Sequence, residues 1–439
     1  MERIIVPFKG DGAGTGELTW GQQQVWRAMV EVGTSMSMGG VVPVTDGRTV
    51  EDFAQELRFF MSRYPSMRTL LRIAPDGATT QETVAEGEAF LEVYSAPSAD
   101  AAAALAADVH AGWRARNFEY TREWPIRVAV VRTADAVTHV IVMVCHIAAD
   151  AGGLGVMIRE LGQRDAIGAQ SAPGHLELVE AQRAAARTTD TAMRYWETQL
   201  HAIEPQRFAG RTEPAGDRFR QLVWRSPALH LASERLAALL SVDAAPVLLA
   251  AYGVAFARVT GREGPFATQV IVSNRFRPGL ADLVTPLAQN GFVVFDPRGA
   301  SAAEAVARAR QASMRASKYA YYAPEPRLAL IDRVARERGE PLDLAVFYNE
   351  RRLALRPPTD PPAPDAIRAA RAATELVRET PLPFFNEKLM VNVDVVPDTV
   401  QLTTEVDTAY IGAPDVRRLL QEMEDFTVAA ALDPAVRAV

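Results

Sequence analysis

Apolar positions recur at helical spacing in LTWGQQQVWRAMVEVG, where Leu18, Val25, Met29 and Val32 share a face and Thr19 can cap the start. TVEDFAQELRFFMSRYP repeats the pattern through Phe53, Leu57, Phe60 and Met61, with Thr49 as N-cap and Pro65 as the stop. Leu70 to Ile73 reads as a strand that turns at Pro75-Asp76-Gly77. DAAAALAADVHAGWRARNF predicts a helix. PIRVAVVR and HVIVMVC, rich in Val and Ile, predict two strands around a turn at Ala134-Asp135. The second strand is apolar on both faces, which predicts a place inside a sheet covered on both sides. A helix follows, with Leu154, Met157, Ile158 and Leu161 on one face.

Asp165 to Gly174 is rich in Gly, Ala, Pro and Ser and reads as the lead-in to an inter-domain connection, completed by a helix from about Leu176 to His201. The second half predicts helices at APVLLAAYGVAFARVTG, AAEAVARARQASMRASK and VRRLLQEMEDFTVAAAL. It predicts strands at FATQVIVSNR, LDLAVFYNER, LMVNVDVV and VQLTTEVDT. RPPTDPPAPDA, Arg356 to Ala366, reads as a surface loop. Both halves mix strands and helices, so the pattern predicts two α/β (α+β) lobes, residues 1–178 and 179–439.

Composition narrows the function. With 439 residues and 48% hydrophobic content, the chain can fill a substantial core. A net charge of -7 argues against nucleic acid as the main partner. The single cysteine excludes an internal disulfide and suits a reducing cytoplasm, and the N-terminus has no secretory h-region. No uncharged apolar run reaches the roughly 18 residues of a membrane span.

Candidate chemistry gathers in VCHIAADAGG, Val144 to Gly153. His146 ends the buried strand, and a glycine-containing turn opens a helix behind it. A histidine there can accept a proton from an attacking amine or hydroxyl, or orient it. The Gly152 and Gly153 N–H groups at the helix start can face a developing oxyanion. Asp150 can order the turn or pair with a cation. A strand-end histidine can equally be structural. Cys145 and His146 point to opposite faces of a strand, so they form no thiol–imidazole pair, and Cys145 reads as packing. The other histidines, His110, His139, His175, His201 and His230, are scattered and suggest no metal site. Walker, G-x-G-x-x-G and G-x-S-x-G motifs are absent.

VCHIAADAGGLGVMIREL resembles the HHxxxDG signature of nonribosomal peptide synthetase condensation domains, with the second histidine on His146 and the aspartate on Asp150. Cys145 stands for the first histidine and Ala151 for the glycine. LTWGQQQVW is similar to the family's opening helix, and RYPSMRTLL to its R-H-E-x-L-R-T segment. WPIRVAVVR, PVLLAAYGVAFARVTG, VIVSNR and LDLAVFYNER follow in family order. NGFVVFDPR matches G-x-F-V-N-T-x-x-x-R in part, the asparagine falling on Val294 or Phe295.

The resemblance implies two chloramphenicol-acetyltransferase-like lobes in a V with a central tunnel. It implies a free-standing acyltransferase of natural-product biosynthesis. Such an enzyme joins an acyl thioester on a carrier protein's phosphopantetheine arm to an amine or hydroxyl, giving an amide or ester. His146 is then the proton-transfer or positioning group, and Asp150 pairs structurally with Arg275 of the second lobe. No intrinsic cofactor or metal is implied, and carrier proteins act in trans. Two alternatives remain: an inactive docking protein that recruits a carrier or tailoring enzyme, and an acyltransferase that uses acyl-CoA. Arg308 and Arg315, about two turns apart on one predicted helix, are candidates for docking an acidic carrier.

Overall fold

The structure, a computed structural model, describes residues 1–439 apart from 135, 168–171, 173, 215 and 353–359, together with the side chain of 165. The expected turn at Ala134-Asp135, linker at Asp165–Gly174 and proline-rich loop at Arg356–Ala366 lie partly outside the described residues. The chain forms two compact units, one of Met1–Ala186 with Ser273–Ala288, the other of Arg187–Val272 with Gln289–Val439. The division expected at 178/179 falls inside a helix, and sixteen residues of the second half, Ser273–Ala288, join the first unit.

The first unit runs β1 (Glu2–Lys9), β2 (Gly14–Glu17), α1 (Trp20–Val32), β3 (Met38–Pro43), α2 (Val50–Arg63), β4 (Thr69–Ile73), β5 (Thr79–Thr83), β6 (Glu86–Ser95), α3 (Ala99–Arg114), β7 (Ile126–Thr133), β8 (Ala136–Val144), α4 (Ala151–Leu161), α5 (Arg164–Ile167) and α6 (His175–Arg183). Its main sheet has the order β1-β6-β7-β8-β3, with β6 and β7 parallel and the other pairs antiparallel. A smaller sheet has the order β2-β5-β4. Thr19 and Thr49 both form capping boxes, as the spacing of Gln22 and Asp52 dictates. Phe53, Leu57 and Met61 of α2 cover one face of the main sheet, in one apolar cluster with Val128, Val130, Val140 and Val144. Met29 of α1 and Ala102, Ala106 and Trp113 of α3 cluster with Ala129, Val131, Ile141 and Met143 of the other face. Each such large side chain contributes roughly 1.5–3 kcal/mol of burial. This two-sided cover is why β8 reads as a continuous apolar run. The edge strand β1 escapes pattern reading because Pro7 and its charged ends break the alternation, and an edge tolerates both.

The second unit contains α7 (Ala186–Ala202), β9 (Phe219–Ser226), α8 (Pro227–Leu240), α9 (Ala244–Thr260), β10 (Phe266–Val272), β11 (Gln289–Phe295), α10 (Ala302–Lys318), α11 (Pro324–Arg338), β12 (Val346–Glu350), α12 (Pro364–Ala370), β13 (Glu375–Pro381), β14 (Leu389–Asp394), β15 (Val400–Asp407) and α13 (Ala413–Leu432). The single helix expected over Leu176–His201 is two, α6 and α7. A seven-stranded mixed sheet has the order β11-β10-β12-β14-β15-β9-β13. Helices α8, α9, α10 and α13 cluster with the inward residues of this sheet. Trp196 of α7 stacks on Phe292 of β11 at 5.0 Å, in a smaller cluster with Leu330 and Val334 of α11. Among the described residues no single helix is long and apolar enough to cross a membrane.

Candidate active site

The site is built where β8 stops. Cys145 and His146 follow the strand, a turn carries the chain through Ile147 and Ala148, and Asp150 caps α4. Several peptide groups of this turn are tied to other elements or to each other. The Cys145 N–H donates to Pro125 O at 2.8 Å, the His146 N–H to Ser35 O at 3.3 Å and the Ala148 N–H to Cys145 O at 3.0 Å. The Ile147 carbonyl accepts from Gln22 Nε2 at 3.3 Å. A buried turn with its backbone paired this way holds a single geometry.

His146 is half-buried, and its Nδ1 lies 2.9 Å from Ala149 O. A carbonyl only accepts, so Nδ1 carries the hydrogen of the neutral ring. Nε2 is then the atom with the lone pair, ready to accept a proton. Cys145 is fully buried among apolar residues, its Sγ 3.8 Å from Ser35 O, and burial pushes its thiol up to about 12. The thiol stays protonated and is no nucleophile.

Asp150 is 4% exposed and accepts four hydrogen bonds. Oδ1 takes the Gly153 N–H at 2.7 Å and Arg275 Nη2 at 2.5 Å. Oδ2 takes the N–H groups of Leu287 at 2.9 Å and Ala288 at 3.1 Å. The structure thus brings Asp150 and Arg275 together, but inside one unit, because Arg275 sits on the Ser273–Ala288 excursion. The expectation that the arginine belongs to the second lobe is corrected on this point. Arg275 also donates through Nη1 to Leu283 O at 2.6 Å. Asn274, in the left-handed region at φ 58, ties the base of the excursion by donating to Leu287 O at 3.0 Å.

Of the two glycines, Gly153 does other work than expected. The Gly153 N–H is committed to Asp150, so it is not free for an oxyanion. Gly152 lies against the Arg275 side chain, and a Cβ there would overlap the guanidinium, with Cδ only 2.7 Å away. The glycine pair is therefore shaped by the clamp between Asp150 and Arg275.

Sequence reading missed Gln22 and Ser35. Gln22 lies on the apolar face of α1, is 2% exposed, and makes a reciprocal amide pair with Gln81 at 2.9 and 3.0 Å. A polar residue on an otherwise apolar helix face was the available signal. Ser35 carried no signal, because its loop has no periodicity.

The condensation-domain family model matches residues 15–342. The chain belongs to the condensation-domain family. No curated protein matches it in sequence. Among solved structures, it is similar to the condensation domain of the Monacolin K polyketide synthase, at 15% identity and TM-score 0.73, over 98% of this chain and 100% of the other. The SgcC5 protein of Streptomyces globisporus is 16% identical with TM-score 0.69, over 96% and 100%. A condensation domain that mediates chain release from the enacyloxin polyketide synthase is 18% identical with TM-score 0.68, over 91% and 78%. At such low identity the structural likeness shows a shared fold alone. Condensation domains are generally acyltransferases.

Proposed function

We propose that this condensation-family protein transfers an acyl group from the phosphopantetheine thioester of a carrier protein, supplied in trans, to an amine or hydroxyl. The observation that carries the reading is the His146 ring, half-buried on a turn held by backbone hydrogen bonds, with Nδ1 held by Ala149 O and Nε2 left as acceptor. The nucleophile attacks the thioester carbonyl carbon and gives its proton to Nε2. The tetrahedral oxyanion collapses, the C–S bond breaks, and the imidazolium returns the proton to the leaving thiolate. Asp150 and Arg275 act by fixing the turn that bears His146.

Helix α10 supports an acidic partner. Arg308, Arg310, Arg315 and Lys318 are all exposed on it. Arg310 and Met314 line a groove of about 710 Å³ with Leu240, Val242 and Val306. Arg308 is partly engaged, since its Nη1 donates to Asp296 O at 2.8 Å. Its bonds are to backbone oxygens, so Arg308 keeps its charge and stays on one helix face with Arg315, as expected from spacing.

The test is a mass-spectrometric transfer assay with acyl-loaded carrier, the same acyl group on CoA, and no donor. Turnover from the carrier that drops about 10²–10⁴-fold in His146→Ala supports the proposal. Equal turnover in His146→Ala and wild type overturns the role of His146. Binding of carrier without turnover favours a docking protein, and preference for acyl-CoA reassigns the donor.

A further inference from the structure

The His146 backbone N–H does not pair along the ladder that precedes it. β3 and β8 run antiparallel with Met38 opposite Val144, which would place Met36 opposite His146. The acceptor is instead Ser35 O, at 3.3 Å, one residue out of register. The slip falls at Met36, whose φ of 45 is positive, a conformation that disfavours a side chain of this size. An extra residue at the end of a ladder re-aims the side chain opposite it.

The surroundings fix this slip from several directions. Ser35 is 3% exposed. Its N–H donates to Asn117 Oδ1 at 2.9 Å, and Asn117 Nδ2 donates to Gly33 O at 2.9 Å, so one side chain spans the loop. Ser35 Oγ accepts the Phe118 N–H at 2.8 Å and lies 2.9 Å from Tyr120 Oη. Both Cys145 Sγ and the His146 N–H converge on the Ser35 carbonyl. A buried loop has to pair its polar groups. Here that pairing also fixes the carbonyl that the His146 N–H meets, and with it the turn that bears the ring.

We infer that Ser35, locked by Asn117 and Tyr120, is a positioning residue for His146, acting through its backbone carbonyl across the slipped end of the β3–β8 ladder. The inference rests on the reading of His146 as the proton-accepting group. Its effect runs through ring geometry: a shifted Ser35 carbonyl frees the His146 backbone and loosens the Nδ1 contact with Ala149 O.

Selective ¹⁵N-histidine labelling of the full chain tests it. The six histidines are few enough to assign, with His146→Ala identifying the signal of interest. Wild type shows a ring protonated at Nδ1 when neutral. In Asn117→Ala, Ser35→Ala and, more mildly, Tyr120→Phe, the His146 signals move toward a mixture of tautomers. His175, buried elsewhere in the same unit, keeps its signals and reports that the fold is intact. Ser35→Thr, which keeps the hydroxyl, restores the wild-type ring signals. In the acyl-transfer assay kcat falls by about 10²-fold in Asn117→Ala with KM unchanged. Unaltered His146 ring signals in folded Asn117→Ala and Tyr120→Phe overturn the inference. If Asn117→Ala fails to fold, Tyr120→Phe alone decides, because it removes only one hydroxyl. The ring signals need no substrate, so a failure of the acyl-transfer reading, seen as undiminished turnover in His146→Ala, stays separate from a failure of this one.

Discussion

Replacing Asp150 by Asn keeps the shape of the side chain and removes its charge. In the native site both oxygens accept, and each faces two donors. An amide has one oxygen and one NH₂, so in either orientation two donors face a third. With the oxygen toward Gly153 and Arg275, the NH₂ meets the Leu287 and Ala288 N–H groups. Flipped, it meets the Arg275 guanidinium. The pair is well buried, with side chains 6% and 14% exposed, so water does not relieve the loss. Breaking one side of such a pair costs about 3–5 kcal/mol, because the other charge stays buried alone. The loss falls on the excursion, since Leu287 and Ala288 anchor its end. Hydrogen exchange by mass spectrometry on peptides covering Ser273–Ala288 should speed by about 10²–10⁴-fold, at about 1.4 kcal/mol per decade. Peptides of β14 and β15 in the other unit should stay protected. Arg275→Met added to Asp150→Asn should recover part of the loss by removing the orphaned charge. Unchanged exchange over Ser273–Ala288 in Asp150→Asn would refute the clamp, and so would a double variant much worse than the single one.

Gly152→Ala should destabilise the first unit by about 1–3 kcal/mol, since its Cβ overlaps the Arg275 side chain. Gly155→Ala, with nothing within 4 Å, should instead be neutral or stabilise α4 by up to ~1 kcal/mol, so paired thermal melts separate crowding from helix propensity. His175 is fully enclosed, its Nε2 3.4 Å from Thr69 Oγ1 and Thr83 Oγ1, and burial with the nearby Arg68 charge holds it down to about 4. The unfolded chain takes up that proton near the ordinary value and the folded chain does not. Stability is therefore whole above about pH 6.5 and declines by roughly 3 kcal/mol as pH falls toward 4. Denaturant titrations across that range check it, and His175→Gln should flatten the slope. Cys145 should resist iodoacetamide in the native protein at pH 8 and react only on unfolding, and Cys145→Ala should keep its turnover while losing about 1 kcal/mol.

Local chemistry made much of the chain legible. The caps at Thr19 and Thr49 need only a residue three positions on, and both form. The apolar run from Val140 to Cys145 declares burial on both faces, and the expectation that Cys145 packs in the core while His146 points away from it holds, although β8 stops at Val144 and the turn, not the strand, sets the His146 side chain. The order of motifs declares the family, which the match over residues 15–342 establishes. Short polar or edge strands such as β1, β3 and β13 stayed hidden because their residues satisfy sheet pairing without an amphipathic period.

Contacts across long sequence separations were decided only in three dimensions. The excursion Ser273–Ala288 leaves its own half because Asp150, more than a hundred residues earlier, offers two oxygens to its backbone and its arginine. The Gly153 N–H goes to its own cap rather than to a substrate oxygen because the helix start satisfies itself first. Ser35 and Asn117 carry no periodic signal, since a hydrogen bond to one backbone carbonyl or N–H leaves no pattern in the residues around it. The sequence by itself singled out His146 as the candidate to accept a proton. The tertiary structure decided which of its ring nitrogens is left to do so, because only the fold places the Ala149 carbonyl against the other.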